Sequence, residues 1–124
     1  MSKRLILIVA AAAMVSSLAL AHDHTAKHGG IVVHSGHHHL ELVAEDGALH
    51  LYVTAQDGTP EAIDNAKADA TVLSGGEVAQ VTLEPASENK LEGTGSFAAS
   101  EGMTVVINLT LPGHETEQAR FRFD

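Results

Sequence analysis

The sequence predicts an all-β protein: a single antiparallel, immunoglobulin-like β-sandwich of seven or eight strands, preceded by a signal peptide. Three observations predict it. Beyond residue 21, apolar side chains recur at every second position, the period of a half-buried strand, and no helical period survives. The alternating runs are short and broken by Gly, Pro, Asn and Asp, at the spacing of a sandwich. The chain has no cysteine, so an exported domain of this size depends on its own packed core. A small β-barrel is the alternative closure of the same strands.

The elements follow in order. Lys3 and Arg4 form a positive n-region, residues 5–14 an apolar h-region, and Ala19-Leu20-Ala21 an A-x-A cleavage site. The apolar run is shorter than a membrane span needs, which argues against an uncleaved anchor. Residues 1–21 are therefore assigned to a signal peptide, 22–30 to a histidine-rich segment and 31–124 to the β-domain. No linker divides that domain. Strands are expected at 31–35, 38–44 and 48–55, the last with Leu49, Leu51 and Val53 facing inward. Residues 56–65 carry Asp57-Gly58 and Pro60 and read as a loop. Strands at 67–73 and 78–84 flank the turn at 74–77, and 85–89 is a connection. The glycine-broken stretch 91–97 reads as a bulged or edge strand. Strand 104–111 presents Val105, Ile107, Leu109 and Leu111 on one face. Pro112-Gly113 turns the chain into 116–123, with Ala119, Phe121 and Phe123 inward.

Asp46-Gly47 is the signature of a two-residue hairpin turn. It pairs Glu45 with Ala48, Val43 with His50, Leu42 with Leu51, Glu41 with Tyr52, Leu40 with Val53 and His39 with Thr54. Leu40 and Leu42 then share one face with Val53 and Leu51, as a single core requires. His37, His39, Glu41, His50 and Tyr52 fall on the opposite face, while His38 points to the core side.

Seven of the nine histidines lie between His22 and His39. Imidazole is the commonest transition-metal ligand, and without thiolates the chemistry favoured is a divalent ion held by nitrogen and carboxylate oxygen. The candidate ligands are His22, His24, His28, His37, His39, Glu41 and His50. Zn(II) or Cu(II) is expected, with Ni(II) or Co(II) compatible. Cleavage after Ala21 would make His24 third in the mature chain, where the amino group, two amides and its imidazole form a square plane suited to Cu(II) or Ni(II). His50 and His114 taken singly read as solvated surface residues, and Gly29-Gly30 taken alone as a backbone turn. Without Lys3 and Arg4 the seven basic residues fall to five against sixteen acidic ones, and the formal charge moves from −9 to −11. Such a surface repels nucleic acid and attracts cations. No helical zinc-hydrolase motif is present, and an enzyme is not expected.

The ordered series His28-Gly29-Gly30, His39-Leu40-Glu41-Leu42-Val43, Gly47-x-Leu49-x-Leu51-Tyr52-Val53, Asp57-Gly58-x-Pro60, Leu83-x-Pro85, Leu111-Pro112-Gly113 and Ala119-Arg120-Phe121 spans nearly the whole mature chain. It resembles the N-terminal metal-binding domain of CzcB-like periplasmic adaptors of heavy-metal efflux systems. The resemblance implies a periplasmic module that captures a toxic divalent ion and passes it toward an efflux adaptor or pump, with His28 and the His39/Glu41 pair at the matching positions. The helical hairpin, lipoyl-like and barrel domains of an adaptor are not in this sequence, which favours a free-standing buffer or carrier. The other reading, of a different class, is an interaction module that docks on an adaptor and whose histidines tune that contact. Neither reading calls for nucleic acid or for stable membrane insertion.

Overall fold

The structure, a computed structural model, describes residues 26–124. The expected signal peptide at 1–21 and the candidate ligands His22 and His24 lie outside the described residues. Eight strands follow: β1 Ile31–Ser35, β2 His38–Glu45, β3 Ala48–Ala55, β4 Lys67–Ser74, β5 Glu77–Ser87, β6 Lys90–Thr94, β7 Thr104–Thr110 and β8 Glu117–Arg122. All pairings are antiparallel, in the spatial order β1-β2-β3-β6-β5-β4-β7-β8. No helix occurs among the described residues. The edge strands β1 and β8 lie against each other without a connecting ladder, so one sheet curls almost into closure and leaves a single seam.

The Asp46-Gly47 hairpin has all six pairs expected of it, from Glu45 opposite Ala48 to His39 opposite Thr54. Gly47 takes φ 73°, the positive sign its turn needs. The register sends Leu40, Leu42, Leu49, Leu51 and Val53 inward, all with no solvent exposure. They share one core with Val105, Ile107, Leu109 and Phe121 of β7 and β8. Ala119 is buried beside them, while Phe123 is only half-buried and lies just past the end of β8.

Two elements depart from expectation. β5 does not stop at Glu84 but runs through Pro85 to Ser87. Pro85 sits opposite Leu91 at a register shift in the β5–β6 ladder, a place where a missing N–H is tolerated. The first part of β5 pairs with β4 and its last part with β6, so this one strand turns the corner of the sheet. β6 is shorter than expected and ends at Thr94. Past it, the Gly95 N–H donates to the Gly47 carbonyl and the Gly47 N–H to the Phe97 carbonyl, which fastens this stretch onto the β2–β3 turn.

Candidate functional site

Among the described residues only His38, Glu41 and Thr104 are polar and buried. Burying a polar group is costly unless it is hydrogen-bonded, so the partners of His38 and Glu41 define their roles.

Glu41 projects from the middle of β2 under the segment that enters β1. Its Oε1 accepts the Lys27 backbone N–H at 3.0 Å, and its Oε2 accepts those of His28 at 2.8 Å and Gly30 at 2.9 Å. Three converging backbone donors hold this carboxylate as a nest holds an anion. The two glycines make the wrap possible. Gly29 takes φ 79°, and a Cβ on Gly30 would run into the Leu42 carbonyl. Both expected candidate ligands of this motif thus have structural contacts: Glu41 anchors the entering segment, and the exposed His28 stacks its ring on Tyr52 at 3.7 Å and 9°. A cleft of about 430 Å³ opens beside the stack, with Lys27, Asn89 and Lys90 also on its walls.

The β1–β2 connection sets a second group. Gly36 and His37 form a two-residue turn, with φ 56° at Gly36, the sign that a type II′ turn needs at its first central position. His37 is therefore an exposed turn residue and not part of the β2 face, where it had been expected beside His39. The same turn places His34 opposite His39. Their Nε2 atoms lie 3.1 Å apart and their rings meet edge to face. His39 is thus joined to His34 rather than to Glu41. The Gly36-His37 turn was the signal for this pairing, since its length fixes the His34–His39 register.

His50, on β3, lies between two carboxylates and apart from Glu41. Its Nε2 is 3.3 Å from Glu45 Oε1 and its Nδ1 is 3.3 Å from Glu92 Oε1, the latter too poorly aligned for a hydrogen bond.

Sequence reasoning missed a fourth group. His38, 3% exposed, lies beside the seam. Its Nδ1 is 2.8 Å from Glu117 Oε2 on β8, and its Nε2 is 3.6 Å from Glu61 Oε1 in the loop after β3. The ring of His114 stands 5.7 Å from that of His38. The signal was present: alternation had already turned His38 inward, and an inward imidazole needs a polar partner.

Among the described residues, no group of three His, Asp or Glu side chains stands arranged to hold one metal ion. No family model, curated protein or solved structure matches the chain.

Proposed function

We propose that this chain is an exported, periplasmic divalent-metal-binding protein, a buffer or carrier for Zn(II) or Cu(II) linked to metal efflux, and not an enzyme. In this reading residues 1–21 are the signal peptide, and the curled sheet is a flattened sandwich whose two faces share β5. The observation that carries the proposal is the His34–His39 pair. Two nitrogens about 2.0–2.1 Å from one tetrahedral ion stand about 3.3 Å apart, close to the 3.1 Å separation of the two Nε2 atoms. The hairpin register holds both residues there before any ion arrives. The remaining ligands would come from the histidine-rich segment, His22 and His24 among them, or from solvent. The acidic composition raises the local cation concentration.

Calorimetric titration of the mature protein with Zn(II), Cu(II) and Ni(II) tests this. A site of micromolar affinity or better is expected, weakened to a similar extent by His34→Ala and His39→Ala, with little further loss in the double variant. Binding should fall away below about pH 5.5 as imidazoles protonate. Undiminished affinity at pH 4.5, or in the double variant, would remove the basis of the proposal.

A docking module is the second reading. Leu73 and Val78, paired across the β4–β5 hairpin, are 42% and 63% exposed. In that reading an adaptor would bind the metal-free protein, and changing His28, His37 and His39 to Ala would shift that affinity without abolishing it.

A further inference from the structure

We propose a separate divalent-cation site at the seam, with His38 Nε2, Glu61 and His114 as ligands and Glu117 as the residue that orients His38. It does not depend on the His34–His39 pair.

The argument begins with proton accounting. A carboxylate only accepts hydrogen bonds, so the Nδ1 of His38 carries the proton donated to Glu117 Oε2 at 2.8 Å. In the neutral ring the other nitrogen, Nε2, then holds a lone pair. That nitrogen lies 3.6 Å from Oε1 of the Glu61 carboxylate. Two acceptors facing each other at the edge of a core repel unless something positive stands between them. A second proton is one solution and a metal ion is the other. The 3.6 Å gap is within a few tenths of an ångström of the roughly 3.3 Å between neighbouring ligands on a tetrahedral ion.

The surroundings favour the ion. A histidine that binds a metal usually donates its other ring N–H to a carboxylate, which fixes the tautomer and the orientation of the ring. Glu117 is built for that task. Its Oε1 is buried and has no hydrogen-bond partner among the described residues. Gly36 leaves the space it occupies, because a Cβ there would stand 3.3 Å from that oxygen. The third ligand, His114, follows the Pro112-Gly113 turn and is exposed. With its ring already 5.7 Å from His38's, a side-chain rotation would bring a nitrogen to the ion, and water would fill the fourth position. Nitrogen and carboxylate donors in this number suit Zn(II) or Co(II).

Site-resolved NMR separates this site from every other histidine in the chain. The imidazole ¹⁵N signals of the full mature protein would be followed during a Zn(II) titration at neutral pH. His38 Nε2 and one His114 nitrogen are expected to shift together with one dissociation constant, while His38 Nδ1 stays protonated. The response should persist in the His34→Ala/His39→Ala variant, so failure of that pair and failure of this site are read separately. Glu61→Gln and His114→Gln, both changes near the surface, should each weaken the His38 response by about tenfold or more, and Glu117→Gln by about tenfold through loss of orientation. A His38 signal that stays that of a doubly protonated ring and ignores Zn(II), while His34 and His39 respond, overturns the proposal.

Discussion

Replacing Glu41 by Ala should weaken the fold itself and not merely a metal site. Three backbone N–H groups, of Lys27, His28 and Gly30, converge on this carboxylate at 2.8–3.0 Å. At about 1.5–3 kcal/mol for each bond to a charged acceptor, their gross sum is about 4.5–9 kcal/mol. Lys27 and His28 are exposed, so their freed N–H groups regain water and the expected loss is about 2–3 kcal/mol. With a urea slope near 1–1.5 kcal/mol per molar for a domain of this size, the unfolding midpoint of the metal-free protein should fall by about 2 M. Glu41→Gln should fall between parent and Ala, because its amide keeps one acceptor and turns a donor toward the others. The amide signals of residues 27–30 should move in both variants. A metal ligand behaves differently: its loss lowers affinity and leaves metal-free stability nearly unchanged. A midpoint within about 0.5 M of the parent, with weakened zinc binding, would show that the anchoring role has been misassigned.

Gly30→Ala drives a methyl group into the Leu42 carbonyl, a backbone atom that cannot swing aside; a loss of about 2–3 kcal/mol, or roughly 10–20 °C in Tm, is expected by calorimetry. Asp57 titrates below its usual 3.8, chiefly because the Thr59 hydroxyl donates to it. A carboxylate favoured by the fold adds stability above its unfolded pKa, and that contribution disappears as pH falls through the lowered folded value. Thr59→Val should therefore raise the Asp57 midpoint toward 3.8 in a carboxyl ¹³C titration, with only a small stability change because Asp57 is fully exposed. An ion at the seam should slow amide exchange in β8, whereas an ion held only by His34 and His39, both on the β1–β2 hairpin, should leave β8 as it was.

Legibility in the sequence followed the range of the interaction. The β2–β3 register could be read because a two-residue turn and four alternating leucines and valines state the same pairing twice. Where β6 inserts between β3 and β5 was not readable, since nothing local marks which distant strand will be a neighbour. Pro85 misled because its missing N–H argues for a loop. Only the bulge opposite Leu91 makes it acceptable in a strand. Glu41 was legible as an acid among histidines, but its three backbone donors were not. An acid on a strand face with histidines reads as a ligand until the 27–30 segment folds back over it, and that return is a tertiary event. His38 was the reverse case, since its inward direction was legible but Glu117, 79 residues away, was not.

The division among these groups has a physical reason. In the proposed reading the atoms that exchange an ion are not those that hold the fold, so release leaves the core as it was. The His28-Gly29-Gly30 segment and Glu41 are spent on structure, with all three backbone bonds internal and no metal needed. In the proposed reading the ion-binding imidazoles sit where the backbone is already fixed by something else: His34 and His39 by the Gly36-His37 turn, His38 by the β2 ladder. Glu61 and Glu117 flank His38, as Glu45 and Glu92 flank His50. A carboxylate favours a cation on the ring, and at a given site that cation is a proton or a metal but not both. In the proposed reading an ion and a proton compete for these nitrogens without any strand having to separate.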